Sequence, residues 1–143
     1  MRILALDLGE QRTGAALSDA AGWLATPLTV LKSRSREAEL AAIAELVQKH
    51  RVERIVVGYP LSLDGSIGPQ ALRVDKIVER LRALLPDVPV VLWDERLSTA
   101  QAERLIHETG RRVQRERIDA AAAAVILQSY LDAQVPPGPE QGH

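Results

Sequence analysis

The segment Arg2 to Leu8, RILALDL, is apolar almost without interruption and carries one carboxylate, Asp7, two residues before Gly9. Such a run suits a central strand buried on both faces, which requires further layers of chain above and below it. A carboxylate at the end of a strand of this kind is costly unless it is paired or coordinated, so Asp7 needs a chemical reason to be there. The chain has 143 residues, 46% of them hydrophobic, enough for one domain with a sizeable core but not for two large ones.

The rest of the chain supplies the layers. GEQRTG has turn residues and TGAALSD reads as a second strand, so the first two strands form a hairpin. A third extended segment is expected from Gly22 to Val30. After KSRSRE, the spacing of Leu40, Ile43, Ala44 and Val47 predicts an amphipathic helix through Lys49. RIVVGYP then reads as a buried strand stopped by Gly58 and Pro60; because it follows a helix directly, a parallel crossover is expected. Beyond the loop LSLDGSIGPQ, the residues Val74, Ile77, Val78, Leu81 and Leu85 mark a second helix ended by Pro86, and PVVLW is a further strand running into DER. Ser98 with Gln101 forms a capping-box pattern that opens a helix closing at Gly110. The basic segment RRVQRER reads as a linker to a last helix, Ile118 to about Ala133, and VPPGPEQGH as a disordered tail. The expectation is an α/β domain over residues 1–134 with a tail over 135–143. Its sheet has five strands, three antiparallel at the N-terminus plus two parallel, with helices on both faces.

Composition removes several classes of function. With no Cys there are no disulfides, thiolate metal sites or Cys nucleophiles, and His50, His107 and His143 are too scattered for a metal centre. Any metal must be held by oxygen. The formal charge of -1 means that nucleic-acid binding would rest on local basic clusters. Without Phe, and with two Trp and two Tyr, the chain lacks the aromatic platforms of single-strand binders. No apolar stretch approaches the roughly 20 residues of a membrane span and the N-terminus does not read as a signal peptide, so a cytoplasmic protein with no membrane partner is expected.

In sheets of this type, sites gather beyond the carboxyl ends of the parallel strands. Three positions bring carboxylates there: Asp7, the Asp94-Glu95 pair, and Asp119, which is expected to begin a helix whose next five residues are all Ala. Three carboxylates sharing a pocket repel one another unless divalent cations compensate them, and oxygen-only ligands suit Mg2+ or Mn2+. Two such ions about 4 Å apart, with substrate bound, would clamp the attacking water and the leaving oxygen of a phosphodiester displacement. Each acid also has a plain structural reading: Asp7 as a turn cap, Glu95 as a partner of Arg96, Asp119 as an N-cap. Neighbours on a strand face opposite ways, and the residues alone choose neither Glu95 over Asp94 nor Asp119 over Glu116.

Four segments, LALDLGEQRTGAALSD, IVVGYPLSLDGSIGPQA, VVLWDERLSTAQAERLI and IDAAAAAVILQSYL, resemble in order the successive motifs of the bacterial YqgF (RuvX) family. The resemblance spans about residues 1 to 133. It implies a ribonuclease H-like fold and a metal-dependent nuclease, since members are described as Holliday-junction resolvases and as nucleases maturing the 5′ end of pre-16S rRNA. It also implies that the acidic positions, catalytic and metal-binding alike, are Asp7, Glu95 and Asp119. The partner would be structured RNA or branched DNA, acted on by a monomer or a homodimer. Two departures stand out: Gln11 precedes Arg12 where members often carry a Lys-Arg pair, and Tyr59 stands where Leu is common.

Around the acids, Arg12 is placed to steer a phosphate, and Ser66 to receive one at a helix N-terminus. Arg111, Arg112 and Arg115 of RRVQRER are expected to contact the phosphate backbone. Lys32, Arg34 and Arg36 form a second basic cluster, read as a solvated face. Gly58 either keeps a strand end clear for substrate or serves the turn, and His107 is expected to be exposed rather than a catalytic base. Two rival classes are a noncatalytic nucleic-acid-binding or ribosome-assembly factor, and an actin-like nucleotide-binding ATPase. The second would need two comparable domains, and the chain supplies one.

Overall fold

The computed structural model describes residues 1–32, 34–98 and 112–134, with the backbone alone for 112–118. Its elements are β1 (Ile3–Leu8), β2 (Thr13–Ser18), β3 (Ala25–Leu31), α1 (Arg36–His50), β4 (Arg54–Tyr59), α2 (Pro69–Leu84), β5 (Val90–Asp94), a 3-10 turn (Glu95–Leu97) and α3 (Arg112–Gln134). The expected helix from Ser98 to Gly110, His107 within it, and the tail from 135 onward lie outside the described residues. No helix among the described residues is long and apolar enough to cross a membrane.

The sheet has the order β3-β2-β1-β4-β5, with β1 at its centre. β1 pairs antiparallel with β2 and parallel with β4; β3 is antiparallel to β2, and β5 parallel to β4. All six residues of β1 are buried, as its apolar run requires. Leu4, Leu6 and Leu8 join Ile55, Val57 and the buried sides of α1 and α2 in one cluster, while Ile3 and Ala5 join Ala16, Val56 and α3 in a second. The strand alternation therefore sorts one strand between two cores, with α1 and α2 on one face and α3 on the other.

Local chemistry sets the boundaries. Ser35 caps α1 by accepting from the Ala38 N–H, Glu37 and Glu39 occupy its first turn, and Arg51 closes it in the left-handed region at φ 53°. β3 begins three residues later than expected because the Asp19 carboxylate accepts from the N–H groups of Trp23 and Leu24, folding 19–24 into a turn with Gly22 at φ 79°. Along β2 and β3 the register shifts between Ala15 and Ala16, and Pro27 lies opposite Ala16.

The last helix departs most from expectation. It begins at Arg112 rather than Ile118, so most of the presumed linker is helical and Asp119 lies inside the helix rather than at its start. Arg, Gln and Glu are strong helix formers, no Gly or Pro separates them from the Ala run, and Asp119, a candidate cap, is carried inside the helix instead. The charge pattern suggested a linker; the backbone had no reason to stop.

Candidate active site

Asp7, 5% exposed, shares the α3 face of β1 with Ile3 and Ala5. Its partner on β2 is Gly14, and one step beyond the Leu6-Val57 pair it lies level with Gly58 of β4. It stands between two glycines. A Cβ on Gly14 would sit 2.0 Å from the Asp119 carbonyl oxygen, so only glycine lets α3 descend this far onto the sheet. A Cβ on Gly58 would sit 2.8 Å from Ile126 Cδ1 and 3.2 Å from Glu95 Oε1, so the absent side chain is replaced by the Glu95 carboxylate. Gly58 makes room for a protein carboxylate and for α3, and it lies within β4 rather than ending it. Asp7 thus has the Asp119 main chain over Gly14 on one side and the Glu95 carboxylate over Gly58 on the other.

The structure separates Glu95 from its neighbour. Val91 and Trp93 face α3, and Glu95 continues that alternation into the 3-10 turn, 3% exposed. Asp94 instead accepts from the backbone N–H and guanidinium of Arg96, and this hydrogen bonding holds its carboxyl below the usual range. Arg12 Nε donates to Asp119 Oδ2 at 2.8 Å. The turn carrying Arg12 closes with Gly9 N–H donating to Arg12 O at 2.9 Å, an approach that leaves no space for a Cβ at Gly9.

A model of the RuvX family, described as Holliday junction resolvase, matches residues 1–133. The chain belongs to the RuvX family. It is 46% identical over 137 residues to a protein of Caldanaerobacter subterraneus subsp. tengcongensis named "Putative pre-16S rRNA nuclease", covering 94% of this chain and 98% of that one. A protein of the same name from Syntrophus aciditrophicus is 47% identical over 135 residues, covering 93% and 89%. Among solved structures, T. thermophilus RuvC in complex with Holliday junction substrate matches at TM-score 0.60 and 18% identity, over 94% of this chain and 95% of that one. The Fowlpox virus resolvase bound to Holliday junction DNA matches at TM-score 0.58 and 13% identity, over 95% and 100%. Together with the sheet order, these likenesses give the fold as ribonuclease H-like.

In this RuvX-family chain, Arg96 ties two parts of the site's rim together. Besides gripping Asp94 it donates to the Leu63 carbonyl and packs on Gly65, which fixes the β4–α2 loop beside Glu95. Arg73 of α2 donates to the carbonyls of Leu8 and Gly9, holding the turn after Asp7. Tyr59 donates to Asp75 Oδ2 at 2.8 Å. Neither Arg73 nor Gly14 was singled out by sequence reasoning; Gly14 left a trace in the small-residue run TGAALS, and Arg73 left none.

Of the residues expected to contact nucleic acid, Arg12 pairs with Asp119, and Ser66 lies in the turn before α2 rather than at its first residue. The Ser66 N–H donates to Asp64 Oδ1 within a turn made by Gly65 at φ 88°, and α2 begins with Gly68 as N-cap and Pro69, which has no N–H to offer. Arg111 lies outside the described residues, and Arg112 and Arg115 are described only as backbone in the first turns of α3. For a metal, the donors Asp7, Glu95 and Asp119 are of the right type for a hard divalent ion. Their placement is not that of a ready cage: among the described residues no three acidic or His side chains are grouped to hold an ion, and Arg12 engages Asp119.

Proposed function

We propose that this chain is a divalent-metal-dependent nuclease that hydrolyses phosphodiester bonds of structured nucleic acid, its domain spanning residues 1–134. The observation that carries the reading is Asp7, a buried carboxylate set between two glycines that admit Glu95 on one side and Asp119 on the other. The family description names junction resolution and the relatives' names point to pre-16S rRNA, so the substrate is precursor rRNA or branched DNA.

Asp7, Glu95 and Asp119 would hold Mg2+ or Mn2+, two ions once substrate is bound, which supply the positive charge that generates the nucleophile and shields the leaving oxygen. Mg2+ is commonly held by one or two carboxylates together with substrate phosphate oxygens, a role open to these side chains. Arg12 has two roles. Without substrate its guanidinium neutralises Asp119; with substrate it transfers to an incoming phosphate and releases that carboxylate. Glu95, packed over Gly58 by Ile126, has little freedom to move, which fixes one side of the site.

The deciding experiment is cleavage of matched four-way junction, duplex DNA, single-stranded DNA and stem-loop RNA carrying a 5′ extension, each with Mg2+, Mn2+ or chelator. Metal-dependent cleavage of one structured substrate is expected. Binding without cleavage under every metal would favour the noncatalytic reading, which the Arg12-Asp119 ion pair also allows.

A further inference from the structure

Behind the turn that carries Arg12, on the face of the sheet away from α3, an open pocket of about 160 Å³ is lined by Gly9, Glu10, Arg34, Ser35, Arg36, Glu39 and Arg73. This volume holds a tetrahedral oxyanion together with water. Three arginines from two segments line it: Arg34 before α1 and Arg36 in its first turn, and Arg73 on α2. Of the two acids at the cavity, Glu39 has both oxygens engaged, accepting from Thr13 Oγ1 at 2.9 Å and facing Arg36 Nε at 3.7 Å, and Glu10 stands on the turn. Arg73 spends its two terminal nitrogens on the carbonyls of Leu8 and Gly9, and its buried Nε has no hydrogen-bond partner among the described residues. That nitrogen is closed off from the cavity, but the lining as a whole carries three arginines against two acids, an excess of positive charge that suits an anion.

We propose that this cavity is an oxyanion pocket for a backbone phosphate of the nucleic acid, next to the phosphate that is cleaved. The inference rests on the nuclease reading for the identity of the strand, and adds a site that the carboxylates do not provide. Gly9 follows Asp7 by two residues, at most about 7 Å along the chain. That is about one nucleotide step, since the backbone winds round the axis and successive phosphates lie farther apart than the roughly 3.4 Å axial rise. A strand crossing the turn would place one phosphate over Asp7 and a neighbour among Arg34, Arg36 and Arg73. Arg73 also holds the carbonyls that follow Asp7, so occupancy of the pocket stiffens the turn bearing Arg12. Two members of the cluster read from sequence as a solvated face thus gain a ligand.

The test uses the full chain in chelator, where nothing is cleaved, with a labelled four-way DNA junction and a stem-loop RNA as probes. Arg34→Gln with Arg36→Gln is compared with Arg2→Gln and Lys49→Gln, an equal charge change at the other end of the domain. The pocket pair should weaken binding about three- to tenfold at low salt and flatten the slope of log affinity against log salt by about 0.9 for the duplex arms, more than the control pair does. Inorganic phosphate should raise the Tm of the wild type and not that of the pocket pair. An affinity equal to the control pair overturns the proposal, and if the phosphate effect is nevertheless lost the pocket belongs to a free anion. A wild-type Tm indifferent to phosphate overturns the oxyanion site itself. Binding differences that persist in a protein inactive with every metal would sink the nuclease reading and leave the pocket standing; a wild type that binds neither probe sinks both.

Discussion

On β1, the side chains facing α1 and α2 are Leu4, Leu6 and Leu8, whereas those facing α3 are Ile3, Ala5 and Asp7. The first face is filled by branched aliphatics from three strands and two helices and is closed. The second is depleted in volume toward the carboxyl end of the strand, with Gly14, Asp7 and Gly58 side by side and an Ala-rich stretch of α3 above them. Stability comes from volume and the site from its removal. The space left by two glycines admits a helix backbone on one side and a carboxylate on the other, so the proposed site and close packing use the same device.

The sharpest way to break this comparison is to alter charge on the open face without altering volume. Asp7→Asn, Glu95→Gln and Asp119→Asn should each lower cleavage more than about 100-fold, beyond the range typical of groups that merely support a metal ligand, with circular dichroism unchanged. Full activity in any one would remove that residue from the site. Leu6→Ala on the closed face should do the reverse, costing about 2–5 kcal/mol in denaturant unfolding while turnover per folded molecule is kept. Gly14→Ala joins the two behaviours. Its Cβ meets main chain that cannot rotate away, so about 1–3 kcal/mol of stability should go together with much of the activity as α3 is pushed from Asp7. If Gly14→Ala lost stability alone, the glycines would be packing devices only.

The smallest effect is expected from Asp94→Asn, on the rim. Its pair with Arg96 is partly exposed, so less than about 1 kcal/mol is at stake and cleavage should change little. Arg96 hydrogen bonding lowers the Asp94 pKa below its ordinary 3.8, so the contribution is present above that pH and is lost as pH falls through the lowered folded value. Wild type and variant should therefore differ in Tm at neutral pH and converge in acid; a constant gap would mean that charge is not the cause.

Much of the fold was legible because it rests on local pattern. The β1 run, the hairpin, the parallel crossover and the helices on both faces follow from apolar spacing and turn residues, and Asp7 announced itself as a carboxylate in a buried strand. What was not legible depends on register. Nothing in the chain says that Gly14 and Gly58, 44 positions apart, flank Asp7 until the strands are paired. The residues alone left Asp94 and Glu95 open and only the family resemblance pointed to Glu95; the physical ground, the shared face of Val91 and Trp93 against α3, needed the fold. The start of α3 was misjudged because a charge run was weighed above helix propensity, and Arg73 escaped notice because its partners are main-chain carbonyls, which no side-chain motif records.

The edge strand β3 bears on how this molecule behaves in company. Pro27 offers no amide to a neighbour, the slip beside Ala16 breaks the even spacing of the ladder, and the first amide of the strand, at Ala25, is already given to Gln128 of α3. A second chain that tried to extend the sheet from this side would find an incomplete row of donors. Crowding should therefore not zip these molecules together through β3; the other border of the described sheet is the five-residue β5, whose Val90 carbonyl is taken by Arg82 and which leads directly into Glu95.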